Sequence, residues 1–102
     1  MNSRPRRIVR VTNSFFEQLD EQLGGSRGSN GEPSSTDFLV MELPAVVERF
    51  AIDFDSLPEF VEGLPASRML IASGILVRAF AVYGLLMSDD SIELIGVELD
   101  MT

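Results

Sequence analysis

Residues 69–87 read MLIASGILVRAFAVYGLLM, nineteen positions with a single charge, Arg78. In length the run suits a membrane-spanning helix, which needs about 20 apolar residues. Arg78 argues against it, because a cation at the centre of a span costs roughly 2.5–3.5 kcal/mol. The flank argues against it too, with Asp89 and Asp90 where a basic anchor belongs. Ser73-Gly74 divides the run into two pieces of strand length. The reading is two buried strands, Arg68–Ala72 and Ile75–Leu86, joined by a tight turn at Ser73-Gly74. The near-continuous apolar character of the second predicts burial on both faces. Ser88-Asp89-Asp90-Ser91 supplies the next turn. Ile92–Leu99 reads as a last strand whose alternation slips at Ile95-Gly96, the mark of a bulge.

Upstream of this meander the period changes. Residues 6–12, RRIVRVT, read as a first strand, with Val9 and Val11 on one face and Ile8 opposite. Ser14 and Glu17 have capping-box spacing. Phe16, Leu19 and Leu23 then line one side of a helix that Gly24-Gly25 ends. Residues 24–35, GGSRGSNGEPSS, predict a flexible loop, and their glycine spacing fits no phosphate-binding fingerprint. Ser35 or Thr36 could cap a helical segment beginning at Asp37, and Pro44 must start or kink a helix. Val47, Phe50, Ala51 and Phe54 follow on one helical face, with the helix ending near Asp53. The acidic connection 55–67 holds Pro58 and Pro65 and belongs on the surface. The order is β-α-α-β-β-β. It predicts one α+β domain, residues 1–102, with two helices on one face of an antiparallel sheet.

Composition narrows the chemistry. The 102 residues contain no Cys and no His. That removes thiol nucleophiles, zinc-thiolate sites, Ser-His triads and the commonest general base. Lys is absent as well, so all eight cations are Arg, against sixteen acids and a net charge of -8. Such a balance opposes a generic nucleic-acid coat. No metal site and no cofactor is expected. Residues 1–35 carry five Arg and four acids, residues 36–67 one Arg and seven acids, and residues 68–102 two Arg and five acids. The only local positive field is Arg4, Arg6, Arg7 and Arg10. It reads either as a solubilising N-terminus or as an anion-contact patch. Glu42, Glu48, Asp53, Asp55, Glu59 and Glu62 read as a solvated face. No secretory signal precedes the first strand, and a cytoplasmic location is expected.

The opening RIVRVTNSFFEQLDEQL and the closing meander, with Arg68 at the head of one strand, Arg78 in the next and the acidic turn SDDSIELIGVEL, resemble the RelE/ParE superfamily. These are the toxins of bacterial type II toxin–antitoxin pairs. The resemblance implies a cognate antitoxin as partner. It also implies either of two targets: DNA gyrase for the ParE-like branch, or ribosome-bound mRNA for the RelE-like branch. Under it, Arg68, Arg78 and Tyr83 are the candidate catalytic residues, and Arg6, Arg7, Arg10, Arg68 and Arg78 the candidate target- or anion-binding residues.

The same residues have structural readings. Arg68 suits an ion pair with Glu59, Glu62 or Glu93. Arg78 suits a pairing that relieves a guanidinium in an apolar stretch, and Tyr83 suits packing. The family's aromatic after the strand-three Arg is replaced here by Ala81. A nuclease without Lys or His would need a carboxylate or Tyr83 as base, and an ordinary phenol is too weakly acidic for that work. The ParE-like branch, which binds a protein and needs no catalytic residue, is the better match. A non-toxic acidic immunity or adaptor protein is the reading from another class.

Overall fold

The structure, a computed structural model, describes residues 6–24, 28, 31 and 33–100. The 69–87 run is two strands, as its sequence predicts. Strand β2 (Ser67–Ala72) pairs antiparallel with β3 (Ala79–Leu86), and β3 pairs antiparallel with β4 (Ile92–Asp100). Strand β1 (Val9–Val11) lies on the far side of β4, giving the sheet order β1-β4-β3-β2.

That sheet is mixed, not antiparallel. β1 runs parallel to β4, with Val9 opposite Ile92 and Val11 opposite Leu94. Hairpins fix the directions of β2, β3 and β4 relative to each other, but no hairpin joins β1 to them. Its direction is set by contacts at its ends. The Ile92 N–H donates to the Ile8 carbonyl at 2.8 Å, and the Thr12 N–H to the Leu94 carbonyl at 3.2 Å.

Thr12 also starts helix α1 (Asn13–Gln22). Its hydroxyl accepts from the Phe15 N–H, capping the helix from the strand end, so the expected cap at Ser14 is not used. The buried face is Phe15, Leu19 and Leu23, and Phe16 is exposed. Residues 25–27, 29, 30 and 32 of the expected loop lie outside the described residues. Its end belongs to the next helix. Ser34 and Asp37 form a capping box for helix α2 (Ser35–Met41). The Ser35 N–H and hydroxyl bond Gly24 and Leu23 carbonyls.

There are three helices among the described residues, not two. Pro44 stands in the first turn of helix α3 (Leu43–Asp53), where its missing N–H is no loss. Glu42 marks the joint. Val46, Phe50 and Ala51 of α3 face inward, followed by Phe54 in a 3₁₀ turn (Phe54–Ser56). All helices contribute to one core with Leu70, Phe80, Val82, Ile92, Leu94 and Val97 of the sheet. Burial alternates along β3, with Phe80, Val82 and Gly84 enclosed and the odd-numbered residues half-buried, contrary to the expectation of burial on both faces. The other face has no helix over it because all three lie on the same side. β3 also starts later than expected, at Ala79, which leaves residues 73–78 as a six-residue connection in place of a tight turn. The bulge falls where expected. Tyr83 faces Gly96 and Gly84 faces Leu94, so Ile95 is the extra residue.

Candidate functional site

Three of the sequence's candidate cations anchor β1. Arg6 donates to Glu48 of α3. Arg7 pairs with Asp90 at 3.2 Å and lies 3.7 Å from Asp55. Arg10 donates to the Ser91 hydroxyl and lies 3.5 Å from Asp89. The pairings leave marks on the acids. The Arg6 hydrogen bond holds Glu48 below the usual carboxylate range. The hydroxyl and then the N–H of Ser91 do the same for Asp89, with Arg10 adding to it. Arg4 lies outside the described residues.

Arg68 is held differently. Its Nε donates to the Pro65 carbonyl at 2.8 Å, and its Nη1 to the carbonyls of Asp55 at 2.7 Å and Leu57 at 2.8 Å. The Phe54 carbonyl lies 3.4 Å away, and the guanidinium is 5.4 Å from the centre of the Phe54 ring. A planar fork of five donors suits a ring of carbonyls where a helix ends. Arg7 approaches the same ring at 5.5 Å. Arg68 and Arg7 therefore meet around one buried phenylalanine.

Arg78 does not join them. It precedes β3, is exposed, and its N–H donates to the Asp100 carbonyl at 3.1 Å. Arg68 stands opposite Gly84, six residues along the strand, which is roughly 20 Å. Tyr83 is on the opposite face from Arg68. It faces Met69, donates its hydroxyl to Glu98, and meets the Phe60 ring edge-on at 5.2 Å. The bond to Glu98, then burial, raises its phenol above the ordinary tyrosine value.

Ser67 and Glu42 are buried, which their sequence does not mark. Ser67, with no exposed surface, accepts from the Val61 N–H and donates to the Leu64 carbonyl, closing the 58–66 loop. Glu42 was read as part of a solvated face but is buried. Its Oε2 accepts from the N–H groups of Ile75 and Leu76 at 2.7 and 2.8 Å. The one sequence signal is Gly74. A Cβ there would sit 2.7 Å from that oxygen and 2.5 Å from the Val77 carbonyl. The other acids of that set are exposed or half-buried, as expected.

The remaining feature is the other sheet face. This face carries no helix, but the 58–66 loop covers its Ser67, Tyr83 and Leu85 end; the open end holds Ala79 and Ala81 of β3, both half-buried, and Ile71 of β2, 64% exposed. β4 contributes acids to it, Glu93, Glu98 and Asp100. Between Ile71 and Glu98 the two alanines leave a shallow cleft of about 270 Å³. No family model matches the chain, and no curated protein or solved structure does. Among the described residues no group of acids is placed to hold a metal ion, and no helix is long and apolar enough to cross a membrane. The helix-free face has an apolar floor and one acidic side, and Arg6, Arg7, Arg10 and Arg68 are tied into the scaffold.

Proposed function

We propose that the chain acts by binding another protein, in the manner expected of a ParE-like toxin restrained by a cognate antitoxin. One observation carries this reading. Arg68, the cation at the head of β2, is surrounded by backbone carbonyls, while Tyr83 lies on the other face and Arg78 at the far end of β3. Phosphodiester cleavage needs a base and a cation converging on one phosphate, and these three do not converge. A binding surface has no such requirement. The order of elements, a strand and helices followed by a three-strand meander, supports the family reading. DNA gyrase is the proposed target and the cytoplasm the proposed location.

Expression alone tests it. Growth arrest relieved by the product of the adjacent small gene, with loss of supercoiling by purified gyrase and no ribosome-dependent transcript cleavage, is the expected result. Cleavage abolished by Arg78→Ala would replace this reading with the mRNA-interferase one. A harmless chain that associates with a basic protein in a salt-sensitive way would replace it with the immunity or adaptor reading.

A further inference from the structure

We infer that the open end of the helix-free sheet face, at Ile71, docks a cationic amphipathic segment of a partner protein, with an Arg or Lys stem laid over Ala79 and Ala81 and its charge at Glu98. The inference rests on the protein-binding reading above and gives the partner a chemistry.

The shape comes first. Ala79 and Ala81 are neighbours on one face of β3, between the exposed Ile71 of β2 and the acids of β4. Their short side chains make the cleft. Its volume of about 270 Å³ falls below the roughly 300–1,000 Å³ of small-molecule pockets, and its open form suits one long side chain from a larger partner. Tyr83, the next residue along this face of β3, packs edge to face against Phe60.

Charge then selects the side chain. Glu98 receives the neutral Tyr83 hydroxyl, and its charge meets no cation among the described residues. Glu93 lies two rows away on the same face. The cation facing it across β1, Arg10, is already bound to Ser91 and Asp89. A purely apolar partner would strip water from Glu98 without replacement, which is costly. An acidic partner would be repelled by it and by the net charge of -8. A long basic side chain satisfies both halves of the cleft, because its methylenes cover apolar surface while its charge stays at the edge.

A displayed random-peptide library selected on the intact chain tests this without assuming a sequence. Peptides that mix apolar residues with Arg or Lys are expected to enrich. A synthetic copy of the enriched peptide should bind at least about tenfold more weakly to Ala81→Leu, which fills the cleft, and to Glu98→Gln, which keeps its shape. A control pair on the exposed side of α1, Glu17→Gln with Asp20→Asn, removes two charges elsewhere and should leave binding unchanged. Each variant's unfolding midpoint confirms that it folds. Enrichment of acidic or uncharged peptides, no enrichment, indifference to Ala81→Leu, or equal loss in the control pair overturns the inference. A chain that arrests growth but selects no cationic peptide keeps its proposed function and loses this partner. A harmless chain that selects such peptides does the reverse.

Discussion

At the scale of the residue, Arg68 shows how the fold holds a cation that the sequence singles out. From the sequence, an Arg at a strand head among acids suggests an ion pair or an anion site. The guanidinium instead closes the Phe54, Asp55 and Leu57 carbonyls left where α3 and its 3₁₀ turn stop, and bonds the Pro65 carbonyl of the next loop. Nothing in the local sequence shows this, since carbonyls are present at every position. Arg68→Ala should therefore cost about 2 kcal/mol of stability, read from urea midpoints. Arg68→Lys should recover only part of it, because one ammonium cannot span the same set of carbonyls. Full stability in Arg68→Ala would contradict this role. Tyr83 offers a cleaner measurement. It is the only tyrosine, and there is no Trp, so alkaline phenolate absorbance reports this one group. Glu98 favours the protonated phenol. The stability this bond provides is fully present below the unfolded tyrosine pKa and is lost as pH rises through the folded one. The midpoint should lie above the ordinary tyrosine value, and Glu98→Gln should bring it down. An unchanged midpoint in that variant would show that Glu98 is not the cause.

At the scale of the element, the outer edge of β4 is unusual. β1 covers it only as far as Leu94. Beyond that point two glutamines of α1 take the place of a strand. The Gln18 amide donates to the Ile95 carbonyl and accepts from the Val97 N–H, both at 3.1 Å. The Gln22 amide donates to the Val97 carbonyl at 2.8 Å and accepts from the Leu99 N–H at 2.7 Å. Spaced four apart, they share one helix face. They reach the strand because Gly96 leaves room. A Cβ there would lie 2.8 Å from the Gln18 oxygen. An edge so covered cannot recruit another strand. Replacing both glutamines with leucine should cost about 2 kcal/mol and expose the edge. Urea unfolding reads the first effect. Concentration-dependent association in sedimentation reads the second, and a monomer at all concentrations would show that the edge stays covered without them. The existence and order of the strands were legible because alternation and turn residues are local, but the apolar run 75–78 reads as strand and is part of a connection. The bulge at Ile95 was legible for the same reason. The Gln18–Gln22 ladder was not, because helix periodicity marks Gln as solvent-facing. The α2–α3 division was legible only as a break at Pro44, since a buried Glu42 violates the rule that acids stay in water.

At the scale of the whole molecule, the parallel placement of β1 decides how the charges are used. The sequence shows a basic N-terminus and acids everywhere else, but not which acids meet it, because those contacts depend on the strand's direction. With β1 parallel to β4, its arginines reach the β3–β4 turn at Asp89, Asp90 and Ser91, and α3 with its 3₁₀ turn at Glu48 and Asp55. A three-residue strand has few ladder bonds of its own, so these pairs fasten it. Glu48 and Asp89 are held below the usual carboxylate range in the fold. Their contribution is therefore present above the unfolded carboxylate pKa values and is lost as pH falls through the folded ones. The pairs are exposed, so salt weakens them too. β3, bonded on both sides and facing the core, has no such dependence. Acidification below the ordinary carboxylate range, or high salt at neutral pH, should lower hydrogen-exchange protection in β1 while β3 keeps its own. Simultaneous loss in β1 and β3 would mean that the ion pairs are incidental and that β1 is held by the core contacts of Val9 and Val11.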